Sequence, residues 1–147
     1  MRTGIAMGLV LCLVVGATGL TEDAPKNTKA MDGTWTLSSG EVNGKELTEK
    51  QLKGGKLVIK GENYTVTIPE RDTVKGKQKL DPSKDPKTID IKDAGGPNKD
   101  KTCLGIYEID GDELRVTFAE AGKPRPTKFA TAPGSGLWLH VWKRVKE

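Results

Sequence analysis

A single histidine, His140, serves a chain of 147 residues, and that scarcity removes most acid–base and metal chemistry before any motif is sought. Its own segment, LWLHVWKR, places no acid beside it. The chain has no Gly-x-Ser-x-Gly turn to present a nucleophile and no Cys/His cluster with metal-ligand spacing. Gly95-Gly96-Pro97 lacks the Lys-Ser/Thr pair of a phosphate-binding loop. Asp110, Asp112 and Glu113 lie close enough to draw a cation, yet turn residues that tolerate positive φ explain the first two more simply. The expectation is no enzyme, no catalytic residue, no metal site and no cofactor. Cysteine is nearly as scarce. Of the two present, Cys12 falls in the apolar N-terminal run, so Cys103 stands alone and no intramolecular disulfide can form after that run is removed. Set in an apolar strand-like segment, Cys103 reads as a small buried hydrophobe. Aromatics make up only 5% of the chain, and no apolar run is long enough to span a bilayer as a helix.

What is present begins with a leader. Arg2 supplies a positive start, Gly4 to Val15 is a short continuous apolar run, and the small residues Gly16-Ala17-Thr18-Gly19 offer cleavage sites at Val15-x-Ala17 and Ala17-x-Gly19. This is the pattern of a secretory signal peptide over residues 1–19, which implies an exported protein in the periplasm, the cell envelope or outside the cell. The formal charge of +4 falls to +3 once Arg2 leaves with the leader. Lysines alternate with Asp and Glu along the rest, which reads as a solvated surface, so no nucleic-acid partner is expected.

Residues 20–32 are polar, contain Pro25 and show no period; they read as a flexible tether. Strand alternation starts at Gly33-Thr34-Trp35-Thr36-Leu37. Leu47–Leu52 is the one helical segment, with Thr48 and Gln51 spaced as a capping box and Gly54-Gly55 as its stop. Short strand-like segments then follow in close succession: 56–60, 63–69, 73–80, 88–92, a pair within 102–119, and 137–144. Gly61-Glu62 and the Asp110-Gly111-Asp112 region are hairpin turns. A two-residue turn in the latter sets Cys103, Gly105 and Tyr107 on one face with Leu114, Val116 and Phe118; a three-residue bulged turn brings Leu104 and Ile106 there instead. The first is preferred, because Gly105 then makes room for Phe118. Residues 127–131 offer a possible edge segment. The last strand is apolar on both faces, so it is expected to line the interior with one and to pack under the helix or tether with the other. Eight strands joined by short turns, with one short helix between the first two, point to an all-β, eight-stranded antiparallel up-and-down barrel over residues 33–146, since closure removes the sheet edges. An open sandwich is the alternative.

Several runs carry a resemblance to a known family. Gly33-x-Trp35 heading the first strand and Lys143-Arg144 ending the last resemble the lipocalin, or calycin, pattern. More narrowly, Gly33-Thr34-Trp35, Leu57–Gly61, Leu80–Lys84, Pro86–Asp90, Gly105–Glu108 and Gly122–Pro126 are similar, in order, to a lipocalin-like domain of unknown function common in exported planctomycete proteins. The resemblance covers about residues 30–146. It implies the barrel fold, export, and closure of one barrel end by Gly33, Trp35 and Arg144, with the basic side chain stacked on the indole. It implies no substrate and no catalytic residue.

The candidate site is the barrel interior. Small barrels either fill with side chains or hold one small ligand. Trp35, Tyr64, Tyr107, Phe118, Trp138 and Trp142 would supply aromatic walls, and Gln78 and His140 the few polar groups that orient a guest. With seven aromatics in the chain, a filled or nearly filled core is expected. The leading function is nonetheless a monomeric, non-catalytic module binding a small apolar or amphipathic ligand. The alternative is a ligand-free structural or interaction domain. It would use the loop rim around Lys123–Pro126, where Arg125 between two prolines reads as a strut across a barrel end, or the stripe Lys75, Lys77 and Lys79 against an anionic envelope polymer.

Overall fold

A computed structural model describes residues 30–69, 73–96 and 98–146. The expected signal peptide and residues 20–29 of the expected tether lie outside them. The strands are β1 (Gly33–Val42), β2 (Lys45–Glu46), β3 (Lys56–Lys60), β4 (Asn63–Thr67), β5 (Val74–Asp81), β6 (Lys87–Asp93), β7 (Thr102–Asp110), β8 (Glu113–Phe118) and β9 (Trp138–Arg144), with helix α1 (Glu49–Leu52) between β2 and β3. Apart from β2, which pairs only with the end of β1, each strand lies antiparallel to the next, and β1 also pairs with β9. The result is a closed eight-stranded antiparallel up-and-down barrel, not an open sandwich.

Local sequence explains most of this. In β3, KLVIK, Leu57 and Ile59 are buried while the residues between them are exposed. Asn43 and Gly44, with φ of 52° and 79°, form the left-handed pair of a two-residue β1–β2 turn. Gly111 at φ 59° leads the β7–β8 turn, and Asp110 pairs with Glu113 across it. The turn residues are therefore Gly111-Asp112, and Cys103, Gly105 and Tyr107 share the inner face with Leu114, Val116 and Phe118. A Cβ on Gly105 would lie 2.7 Å from Cε1 of the Phe118 ring, so the bare backbone is what admits that ring. In α1 both halves of the capping box are made, between Thr48 and Gln51.

One end of the barrel is sealed. Trp35 is wholly buried, and Arg144 lies over its ring with the guanidinium carbon 4.2 Å from the centroid. The indole N–H donates to the Met31 carbonyl at 2.9 Å. Arg144 donates in turn to the carbonyls of Asp32 and Ala30, at 2.7 and 2.6 Å. A side chain on Gly33, at φ 133°, would press on the same guanidinium, 3.1 Å away. Residues 30–32 are thus part of the barrel and not of a mobile tether: Met31 is completely buried, and the Asp32 carboxylate accepts from the Gly61 N–H at 2.8 Å. An apolar side chain four residues before the Trp, next to the barrel floor, has more surface to bury inside than a tether would leave it.

The long β8–β9 connection is a belt. Arg125 donates to the Gly105 carbonyl at 2.7 Å and pairs with Asp90 at 2.7 Å on the outside of β6 and β7. Phe129 packs on Arg115 of β8, and Thr131 donates to Glu41 of β1. Arg125 therefore braces the side wall, not a barrel end. No strand forms at 127–131. Arg115 and Glu41 are the register partners of Val141 and Leu139, so the outer face of β9 runs beneath this belt and not beneath the helix or the tether. Ile106 and Thr117, outward by parity, are buried on the same wall.

Trp35→Ala is expected to cost about 3–5 kcal/mol in denaturant unfolding, the range for truncating a large buried aromatic. A loss below about 1 kcal/mol would show that the stacked Trp35 does not hold the floor.

Candidate ligand-binding cavity

Above the sealed floor the barrel holds a cavity of about 640 Å³, so its core is not filled as the aromatic count implied. Volume inside a closed sheet depends on how all the inward side chains add up around the wall, and these fall short. Inward alternation contributes Leu57 and Ile59 from β3, Ile89 and Ile91 from β6, and Leu114 and Val116 from β8. Val42, Ile68, Val74, Gly96, Asn98 and Trp138 line it too, and all lie at the end opposite Trp35, where β1, β4 and β6 finish and β5 and β9 begin. That end is the mouth.

Six of the eight residues expected to meet a ligand do line the cavity: Tyr64, Gln78, Phe118, Trp138, His140 and Trp142. Trp35 and Tyr107 do not. Trp35 is consumed by the floor, and Tyr107, only 1% exposed, packs into the core. The last strand turns Trp138, His140 and Trp142 inward. Phe118 and Trp138 are cross-strand partners with ring centroids 5.6 Å apart, and His140 meets Trp142 edge-on at 5.7 Å. Gly40, opposite His140, leaves room for Leu47: a Cβ there would lie 2.5 Å from the leucine Cδ1 and 3.2 Å from the imidazole.

The β8–β9 side is thus an aromatic wall, and the β4–β6 side carries the polar groups. Tyr64, Gly76 and Asp93 lie in one cross-strand row, and the Tyr64 hydroxyl donates to the Asp93 carboxylate. Gly76 makes that possible, because a Cβ would sit 2.6 Å from the tyrosine Cζ. Gln78, two residues along β5, is 6% exposed, and among the described residues its amide N–H reaches the Met31 sulfur, at 3.7 Å, a weak acceptor. Asp93 and Met31 escaped the sequence reading. Met31 falls in the polar stretch 20–32, and Asp93 lies one residue beyond the 88–92 strand pattern. The available signal was the β6 alternation, since 93 continues the inward series 89 and 91.

Burial, reinforced by the hydrogen bond to Asp93 and by its charge, pushes the Tyr64 phenol well above its ordinary range. Burial, with a smaller contribution from Asp81, pushes Tyr107 up to about 12. The Cys103 thiol is also raised, by burial and then by the Asp93 charge, which suits a structural cysteine. Among the described residues no group of three or more His, Cys, Asp or Glu side chains is arranged to hold a metal ion, and no helix is long and apolar enough to cross a membrane. Lys75, Lys77 and Lys79 project outward and exposed from β5, which is paired on both sides and so is no edge strand. The fold and cavity together define a small closed β-barrel with a one-ended, largely apolar lumen. No protein-family model matches the chain, and no curated protein matches it either.

The chain's two tyrosines are both buried, which sets its behaviour in alkali. Their protonated forms are favoured in the folded state, so stability is unaffected below the unfolded value near 10. Above it each tyrosine removes up to about 1.4 kcal/mol per pH unit. Tyrosinate absorbance is therefore expected to rise in step with loss of the β-sheet circular dichroism signal. A phenol titrating near pH 10 in intact protein would contradict this placement.

Proposed function

We propose that this protein is an exported, lipocalin-like binding module that takes a small apolar or amphipathic molecule into the barrel without transforming it. The observation that carries the reading is the one-ended cavity of about 640 Å³, within the range of about 300–1,000 Å³ typical of small-molecule sites. Its lining also has their composition, mostly apolar and aromatic with a few converging polar groups. Sealing by Trp35 and Arg144 supports it further, because a guest then has one way in and a desolvated end to occupy. Native mass spectrometry of protein purified from its own host is the test. A co-purifying small mass, released on denaturation and depleted in Trp138→Ala, is expected; a clean ligand-free mass would count against the reading.

A second reading, an anionic envelope polymer held on the outer wall, is favoured by the strand register. Lys60, Asn63, Lys77 and Lys92 occupy one row across β3 to β6, and Lys75 and Lys79 flank it. None of these lysines makes an ion pair among the described residues, whereas the belted side pairs Arg115 with Glu108 and Glu113, and Arg125 with Asp90. Like charges directly opposite one another on neighbouring strands, as Lys77 and Lys92 are, cost stability, and a polyanion would relieve them. Retention on an acidic polysaccharide should weaken with salt and vanish in the Lys75→Gln, Lys77→Gln, Lys79→Gln triple variant. Retention unchanged by the triple variant would remove this reading.

A further inference from the structure

We propose that the guest carries a cationic head, a protonated amine or its equivalent, on an apolar body, and that Asp93 receives that head at the cavity mouth. This rests on the binding reading above and narrows it to one class of amphiphile.

The charge distribution inside the barrel carries the argument. Asp93 is the one acidic side chain lining the cavity among the described residues, and no lysine or arginine lines it. Among the described residues an anionic head would therefore meet a carboxylate with no lysine or arginine of the lining to offset it, His140 on the β9 wall being the lining's one imidazole. Lys99 and Lys101, on the adjoining β6–β7 connection, are exposed to solvent, so their fields are screened, while Asp93 faces the guest. The carboxylate is also held in place. The Tyr64 hydroxyl donates to one of its oxygens, and the Asp93 main-chain carbonyl accepts from the Asp100 N–H at 2.9 Å, which ties down the end of β6. A carboxylate accepts about four hydrogen bonds, and the one from Tyr64 leaves capacity for an incoming ammonium.

The mouth contributes more than charge. Asp93 ends β6 and Trp138 begins β9, so both stand at the open end, one on the polar wall and one on the aromatic wall. A guest lodged between them sets its charged head on the carboxylate and an apolar part of its body against the indole. Below, Leu57, Ile59 and Leu114 offer hydrocarbon to the body of the molecule. Gln78 stands one residue pair deeper than Tyr64, about 7 Å along the strand. Gln78 is 6% exposed, and among the described residues its amide N–H is bonded to the Met31 sulfur, a weak acceptor, so it can satisfy a second polar group near the neck of the guest.

Three probes of equal chain length separate the possibilities: decylamine, decanol and decanoate, each titrated below its micelle concentration and followed by tryptophan fluorescence. Decylamine is expected to bind best, by about ten-fold or more over decanoate at low salt, as electrostatic complementarity requires. Asp93→Asn should abolish that advantage, lowering decylamine affinity far more than decanol affinity. Tyr64→Phe, which frees the carboxylate, should keep it. Decanoate binding as tightly as decylamine to the unmodified protein, or an amine preference that survives Asp93→Asn, would overturn the head-group assignment while leaving the cavity reading intact. Failure of all three probes to bind would remove the cavity reading and this proposal with it. The ranking on the unmodified protein tests the preference for a cationic head whatever the variants do to stability, and Asp93→Asn tests its assignment to this carboxylate.

Discussion

The barrel depends on one strand being paired on both sides. β1 carries two ladders at once, Trp35 facing Leu57 of β3 in one and Arg144 of β9 in the other. Without the second ladder the molecule would be an open, strongly twisted sheet with two unpaired edges. A bulge between Leu37 and Ser39 lets β1 follow the curve. Trp35 sits at the base of this seam. Its ring fills the space that closure creates, its N–H is satisfied by Met31, and Arg144 is held above it by two carbonyls and by Asp112 at 3.5 Å. The indole N–H and the Arg144 guanidinium both have acceptors, so the seal buries them without stranding either donor.

From that seal follows the asymmetry of the molecule. The lumen has a sealed floor and an open mouth, with its polar groups on the β4–β6 wall and its aromatic rings on the β8–β9 wall. The outer surface is asymmetric as well. The β8–β9 connection belts one side, burying Ile106 and Thr117 and pairing its charges, while the β3–β6 side is bare and basic. Whatever the protein meets, the inner and outer surfaces offer it opposite chemistry: a carboxylate among hydrocarbons within, and lysines among threonines without.

Much of the fold was legible because strand alternation is local. Two consecutive residues must point to opposite faces, and so Leu57 and Ile59, Ile89 and Ile91, or Leu114 and Val116 announce their strands from neighbours alone. The turns were equally readable. Positive φ at Asn43, Gly44, Gly61 and Gly111 falls where Asn and Gly stand in the chain. The β7–β8 register was legible for a steric reason, since only a glycine at 105 accommodates a phenylalanine at 118. Tyr64, Gln78 and Phe118 of the ligand wall followed from the same alternation, combined with the known habit of aromatic and amide groups in cavities.

The sequence by itself therefore determined the eight strands of the barrel wall, though not the short β2, together with the turn chemistry and the capping of α1, all of which are settled by contacts a few residues apart. Only the tertiary structure decided the rest. A strand apolar on both faces has no parity signal, so the inward turn of Trp138, His140 and Trp142 was set by which side of β9 lay against the belt. The emptiness of the lumen is a sum over the whole closed wall, which no local window contains. Asp93 and Met31 became part of the interior because closure carried a strand end and a chain entry point to the two ends of one cavity. The β6 alternation points Asp93 inward, but what it faces there depends on the long-range pairing between β1 and β9, more than a hundred residues apart at Trp35 and Arg144.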